Sequence, residues 1–148
     1  MSRTNLLFRL FPFTLLLPSF RSIQMNVIGT KSMLELAKQM KKLMAFVHVS
    51  TAYAHCNIQS IDEKFYVEHL PNPEEVISSH FPSPEQKCLD MGDYPNTYTF
   101  TKALAEKYLY QNHAGVPIVI VRPSIVVAAQ SEPLKGWVDN FNGPTGKF

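Results

Sequence analysis

A tyrosine and a lysine four positions apart, Tyr98 and Lys102, are the residues of this sequence best suited to proton chemistry. Residues four apart lie on one face of a helix, so the phenol and the ammonium can enter the same pocket. A tyrosine normally ionises near pH ~10, and lowering its pKa to ~7 requires about 4 kcal/mol. A lysine ammonium about 4 Å away supplies roughly that much at an effective dielectric of ~20. The pair is therefore predicted to donate and accept a proton at neutral pH.

Ser50 adds a hydroxyl at a position where ligands commonly bind. It follows the apolar run 45–49, which is typical of a strand in a parallel sheet. Open α/β sheets bind their ligands at the carboxyl ends of such strands. The helix that carries Tyr98 and Lys102 comes next along the chain and is expected to return over the same sheet edge.

Two helices are predicted to position these groups. Apolar residues recur at steps of three and four between residues 24 and 42, which indicates an amphipathic helix with basic residues at its end. Its apolar positions are Met25, Ile28, Met33, Leu36, Ala37 and Met40. The second helix is predicted from Thr97 to about His113, with Gly115 ending it. Its predicted buried residues are Phe100, Leu104, Tyr108 and Leu109.

A continuous β-branched run at 116–121 predicts a strand covered on both faces. The order helix, strand, helix, strand then predicts right-handed crossovers and a parallel sheet. Between the first strand and the second helix lies an irregular stretch, 57–94, that is rich in proline. A loop of this length is usually functional or disordered. In the context of an active site we expect a lid or substrate-shaping insertion, with a short helix near 73–79.

Composition excludes several function classes. The 148 residues carry a formal net charge of +2, and the basic residues are scattered, which does not favour nucleic-acid binding. The two cysteines, Cys56 and Cys88, are too few for a disulfide framework, and a reducing compartment is expected. The His and Cys spacings match no structural zinc pattern, so no metal is predicted. Serine, histidine and aspartate do not occur in an order that suggests a hydrolase.

Ser50, Tyr98 and Lys102, in this order on a strand end and the following helix, resemble the short-chain dehydrogenase/reductase superfamily. The resemblance implies that Ser50 hydrogen-bonds the substrate carbonyl, that Tyr98 transfers a proton, and that Lys102 contacts the nicotinamide ribose. The segment 26–30, Asn-Val-Ile-Gly-Thr, is similar to one in extended members, where the asparagine organises a proton-relay water. For Asn26 the alternative is a capping or helix-start role.

Three further strings, 95–98, 122–126 and 136–144, resemble the alcohol-forming fatty acyl-CoA reductases, and the resemblance extends from about residue 24 to 146. It implies reduction of a long-chain acyl-CoA by NADPH, through an aldehyde, to a fatty alcohol in ether-lipid and wax synthesis. It also implies a membrane-associated peroxisomal location, with a cytoplasmic one as the alternative. Arg122, Pro123 and Ser124 leave the last strand beside the nicotinamide and are predicted to bind the cofactor together with Tyr98 and Lys102.

Dinucleotide binding in this fold needs a glycine-rich turn between the first strand and first helix. The six glycines, at 29, 92, 115, 136, 143 and 146, form no such motif. Each βαβ unit takes ~30 residues, and the stretch before the first predicted helix is too short for one. The prediction is thus an α/β fold: a partial Rossmann-like, doubly wound parallel sheet lacking its first strands and phosphate loop. We expect residues 24–148 to form this partial NAD(P)-binding domain, residues 1–23 to be an atypical apolar N-terminal segment, and NADPH to bind poorly.

Residues 1–20 resemble a signal peptide only superficially, because Arg9, Pro12 and Pro18 interrupt the apolar run. A targeting or membrane-associating role for this segment is the minor alternative.

Val127 stands where the resemblance leads us to expect glycine, and it is expected to crowd the cofactor or substrate.

Three functional hypotheses follow. The chain is a fatty acyl-CoA reductase by family, in a truncated and inactive or weakly active form. Alternatively, it is a non-catalytic fragment that associates with an intact reductase through an exposed sheet edge. The third hypothesis is another extended short-chain reductase, such as a sugar-nucleotide epimerase, and the string 136–144 argues against it.

Overall fold

The computed structural model describes residues 5–9, 19–80 and 89–138. Its strands are β1 (Asn5–Arg9), β2 (Leu43–Val49) and β3 (Ile118–Val121). Its helices are α1 (Ser19–Ser22), α2 (Gly29–Lys38), α3 (Pro73–His80) and α4 (Thr97–Asn112), with a π-helical turn at Ile23–Ile28 joining α1 to α2.

The three strands form one parallel sheet in the order β1-β2-β3. The helical segment 19–38 connects β1 to β2, and α4 connects β2 to β3. This confirms the predicted partial Rossmann-like α/β fold. The sheet also includes β1 from the first 23 residues, which were predicted to lie outside the domain, and the predicted boundary at residue 24 falls within the helical segment.

The first predicted helix was misplaced. The helical segment begins at residue 19 and ends at Lys38, so the basic residues Lys41 and Lys42 lie beyond it. The π-turn adds residues per turn and rotates the buried face away from the expected positions. Ala37 is buried as predicted, whereas Leu36 is 48% exposed. The residues that this segment buries are Ser22, Ile23, Asn26, Val27, Thr30, Leu34 and Ala37.

Helix α4 follows the prediction closely. The Asn96 side chain caps its start, where Oδ1 accepts a hydrogen bond from the Thr99 amide at 2.9 Å. The helix ends at Asn112, and Gly115 follows with a φ of +83°, a backbone conformation that glycine adopts readily. The four residues predicted to be buried, Phe100, Leu104, Tyr108 and Leu109, are all buried.

The helices cover one face of the sheet. On that face Phe46 of β2 packs with Leu34, Tyr108 and Leu109. The strand predicted to be covered on both faces, β3, is half-exposed, because Val119 and Val121 point away from the helices and are 48% and 44% exposed. That prediction was wrong, because a β-branched run indicates a preference for extended backbone but does not show whether both faces of the strand are covered.

The proline-rich stretch contains the predicted short helix, α3, with acidic Glu74 and Glu75 in its first turn. Helix α3 packs against the π-turn and α4 through Val76. Residues 81–88 lie outside the described residues. So do residues 139–148, which include most of the string 136–144.

Candidate active site

The predicted catalytic groups meet at three consecutive residues at the end of β2, Val49, Ser50 and Thr51. Lys102 Nζ donates a hydrogen bond to the carbonyl oxygen of Val49 at 3.0 Å. The Tyr98 phenol hydrogen-bonds the side chain of Thr51. Ser50 lies between these two contacts, so α4 brings Tyr98 and Lys102 to the strand end that carries Ser50.

The end of β3 lies directly beside Ser50. The Ser50 amide donates to the Val121 carbonyl at 2.8 Å, and the Ala52 amide donates to the Pro123 carbonyl at 2.9 Å. Pro123 is half-buried, while Ser124 and Val127 are exposed. The predicted residues 122–124 therefore share the carboxyl edge of the sheet with Ser50, as ligand-binding residues of α/β folds do.

All three predicted catalytic side chains are buried, with 4%, 5% and 2% exposure for Ser50, Tyr98 and Lys102. Burial raises the pKa of Tyr98 above its usual value, and the hydrogen bond with Thr51 only partly opposes this. The expectation that Lys102 brings this pKa near 7 is therefore wrong. Tyr98 keeps its proton at neutral pH, which suits a proton donor rather than a base.

Asn26 is the fourth residue of the π-turn and is 2% exposed. Its Nδ2 donates to Thr101 Oγ1 at 3.0 Å, which joins it to the helix that carries Tyr98 and Lys102. The capping or helix-start alternative is wrong, because the helical segment begins at residue 19. Single π-turns occur frequently at functional sites. The proton-relay role of Asn26 stays a prediction.

Replacing Thr101 with valine is expected to lower the free energy of unfolding by about 1–3 kcal/mol. Valine keeps the shape of threonine but removes the hydroxyl, which leaves the buried Asn26 amide without this acceptor. Urea unfolding followed by circular dichroism measures the change. Ser32→Ala is the control, because it removes an exposed helix hydroxyl that bonds the carbonyl four residues earlier. A loss for Thr101→Val no larger than that of the control would contradict the role of this contact.

The Arg122 side chain contacts a carboxylate. Arg122 Nε and Nη2 donate to Glu106 Oε1 and Oε2 at 3.1 Å and 2.6 Å, and Nη2 also donates to the Lys64 carbonyl at 3.0 Å. The guanidinium, predicted from the resemblance to bind the cofactor, is thus held by protein groups in this structure.

Sequence reasoning missed the centre of this network, Glu106. Its Oε2 also lies 2.9 Å from His55 Nε2, and both side chains are 1% exposed. Burial alone would raise the pKa of Glu106, but hydrogen bonds from His55 and Arg122 outweigh it and lower the pKa to about 2. The carboxylate is therefore ionised, and His55 Nε2 is the donor. A signal was available, since Glu106 continues the four-residue spacing of Tyr98 and Lys102 along one helix face.

A cavity of about 720 Å³ opens at the same sheet edge, lined by Ala52, residues 61–65 and residues 120–122.

Within the described ranges, no cluster of three or more His, Cys, Asp or Glu side chains could hold a metal ion. No helix in this part of the chain is both long and apolar enough to cross a membrane.

Comparisons with known proteins agree with this geometry. A family model described as male sterility protein, an NAD-binding domain, matches residues 14–148. Fatty acyl-CoA reductase 1 of Xenopus laevis and that of Homo sapiens are each 48% identical over 132 residues, which cover 86% of this chain and 25% of each relative. Fatty acyl-CoA reductase wat of Drosophila melanogaster is 44% identical over 130 residues, 84% of this chain and 25% of the relative. The chain belongs to the fatty acyl-CoA reductase family. It spans about a quarter of the length of the curated relatives it matches.

Membership in this family implies a nicotinamide dinucleotide, and the residues present fit only one end of it. Ser50, Tyr98 and Lys102 form a buried polar group at the strand end, where the resemblance predicts the substrate carbonyl and the nicotinamide ribose. The pyrophosphate end needs backbone amides from a glycine-rich turn, and the sequence contains no such motif. The residues of this chain therefore do not fit the whole cofactor.

Proposed function

We propose that this chain carries the carbonyl-binding and proton-donating part of a fatty acyl-CoA reductase site. The whole reductase reduces a long-chain acyl-CoA with NADPH to a fatty alcohol. The observation that supports this most is the grouping of Ser50, Tyr98 and Lys102 around Val49 and Thr51. Family membership supplies the substrate class, because the relatives are named for fatty acyl-CoA reduction.

Each of the three side chains has a role that its surroundings favour. Reduction of a carbonyl places negative charge on its oxygen, and preorganised donors at that oxygen stabilise the transition state. The hydroxyls of Ser50 and Tyr98 are these donors, and both are buried, where such hydrogen bonds are strong. The raised pKa keeps Tyr98 protonated until the oxygen becomes basic enough to accept its proton. The chemistry that a nicotinamide cofactor supplies when bound is hydride transfer.

Lys102 contributes a positive charge to the site while the Tyr98 phenol stays protonated. Its ammonium is fixed by the Val49 carbonyl, one residue before Ser50, so it lies beside the oxygen-binding hydroxyls. A fixed cation near a developing oxyanion favours the transition state. The resemblance adds a ribose contact for the same group.

The chain alone is not expected to turn over acyl-CoA, since its sequence contains no glycine-rich phosphate-binding motif. From the resemblance we also propose ether-lipid and wax synthesis as the setting and a membrane-associated peroxisomal location. Imaging of the tagged chain distinguishes this location from the cytoplasmic alternative.

A graft into an intact relative tests the proposed chemistry. The segment of 132 residues that matches the Homo sapiens relative replaces its counterpart there. The graft should convert hexadecanoyl-CoA and NADPH to the alcohol, and Tyr98→Phe in it should lower kcat by ~10²–10⁴. Tyr110→Phe is the matched control, because Tyr110 lies on α4 but is 49% exposed. A folded graft that keeps its full rate with Tyr98→Phe would refute the assigned role.

A second candidate function is association with an intact reductase as a non-catalytic fragment. Among the described residues β3 ends the sheet, and its exposed Val119 and Val121 leave an apolar strand at that edge. Such an edge can pair with another chain. Co-purification of the tagged chain with an intact reductase would support this function. A Val119→Lys variant should abolish co-purification, whereas Leu36→Lys, on exposed α2 surface, should not.

A further inference from the structure

The carboxylate of Glu106 joins three parts of the chain that border the site. It lies on α4, one turn after Lys102, and is 1% exposed. His55, from the loop after β2, and Arg122, from the end of β3, both hydrogen-bond it at 2.6–3.1 Å. Helix α4, the loop after β2 and the end of β3 are therefore joined through the Glu106 carboxylate.

The same network extends to the segment 61–66, of which residues 61–65 form a wall of the 720 Å³ cavity. Arg122 Nη2 donates to the Lys64 carbonyl at 3.0 Å. The Tyr66 ring packs against His55, with centroids 5.1 Å apart, and lies 5.8 Å from Arg122 Cζ. Tyr66 also ties the segment to itself, because its hydroxyl accepts from the Asp62 amide at 2.6 Å.

Ser50 is the third group near this carboxylate. Its Oγ is buried and contributes to the low pKa of Glu106, although it makes no hydrogen bond of normal geometry within the described residues. A hydroxyl held near a carboxylate, but not committed to a strong partner, is free to bond a ligand oxygen.

We propose that Glu106 is a positioning residue: through Arg122 and His55 it holds the segment 61–66, which includes the cavity wall, and the Ser50 strand end in the arrangement that binds substrate. The arrangement itself is a property of the folded chain. Only its description as substrate-binding rests on the proposed function.

The substitution Glu106→Gln tests this network most directly. Both carboxylate oxygens accept hydrogen bonds, Oε1 from Arg122 and Oε2 from Arg122 and His55. In glutamine one of the two positions becomes an NH2 donor, so in either amide orientation a donor faces a donor. Glu106→Gln therefore keeps the shape of the side chain while breaking the network.

Amide hydrogen exchange of the 148-residue chain, measured by NMR without cofactor or acyl-CoA, tests the proposal. Glu106→Gln should speed exchange of the Ser50, Ala52, Asp62 and Lys64 amides by roughly 10- to 100-fold, which corresponds to loss of a charged hydrogen bond. The amides of Leu34 and Ala37 in α2 should change several-fold less. Glu74→Gln is the matched control, since it removes a half-exposed carboxylate paired with Lys31 at 2.7 Å.

An equal acceleration at α2 and at the site would overturn the proposal, because it would mean a purely global loss of stability. No acceleration at the site would overturn it as well. If Glu106→Gln does not fold, Arg122→Lys decides the question, because lysine keeps the charge but cannot bond both oxygens in parallel. Faster amide exchange at the site than in α2 of Arg122→Lys supports the proposal. Equal acceleration in both places, or no acceleration, rejects it. A failed graft leaves these readouts unaffected, so the two proposals fail separately.

Discussion

Replacing Phe46 with alanine is expected to lower the free energy of unfolding by about 3–5 kcal/mol. Phe46 lies in the central strand β2, is 0% exposed, and packs with Leu34, Tyr108 and Leu109. These neighbours join α2 and α4 to the sheet, so the cavity left by alanine lies at the meeting point of all three elements. Urea unfolding followed by circular dichroism and tryptophan fluorescence measures the loss.

Met44→Ala on the same strand is the control for Phe46→Ala. Met44 is 60% exposed, so its truncation should change the free energy of unfolding by no more than about 0.5 kcal/mol. Similar losses for the two variants would mean that the helices do not pack on the described face of β2.

Acidification is expected to remove on the order of 3 kcal/mol of stability through Glu106 alone. Its pKa is lowered from 4.5 to about 2 in the folded chain. A lowered folded-state pKa stabilises the fold above the unfolded-state value, so this contribution is complete above about pH 4.5. It is lost progressively as the pH falls toward 2. The physical cause is that protonation removes the charge that His55 and Arg122 bond.

The measurement for this second prediction is urea unfolding at a series of pH values for the wild type and Glu106→Gln. The difference between their free energies of unfolding should shrink as the pH falls, because other carboxylates titrate equally in both proteins. Glu74→Gln should retain the wild-type pH dependence at the low end. Parallel curves for the wild type and Glu106→Gln would contradict the ionised, hydrogen-bonded state of Glu106.

The sequence was most informative where one local pattern determines one contact. The spacing of Tyr98 and Lys102, together with Ser50 at the end of an apolar run, was enough to predict that the three meet at one sheet edge. Asn96 and Gly115 likewise mark the two ends of α4 through local backbone chemistry.

The misses have physical reasons in the tertiary structure. The π-turn at Ile23–Ile28 changes the helical repeat, and no single residue type signals it. Strand β1 is five residues long and, among the described residues, pairs with β2 alone, so its local sequence carries little signal. Glu106 is an acidic residue on a helix, which is ordinarily exposed, and its burial depends on partners 51 and 16 residues away.

The pKa of Tyr98 shows why spacing alone does not determine chemistry. A lysine four residues away lowers a phenol pKa only if its charge acts on the phenol more strongly than burial does. Here Lys102 bonds the Val49 carbonyl, and burial makes the larger contribution at Tyr98. The phenol of Tyr98 consequently keeps its proton at neutral pH.

NADPH binding to the purified 148-residue chain, followed by cofactor fluorescence, tests the central claim most directly. We propose that these residues bind the carbonyl end of a fatty acyl-CoA reductase substrate and, because the sequence contains no glycine-rich motif, do not bind the cofactor's phosphates. A chain shown to be folded by circular dichroism should show no binding at millimolar NADPH. Tight binding would contradict the claim, because it would require a phosphate site that neither the glycine positions nor the described strands contain.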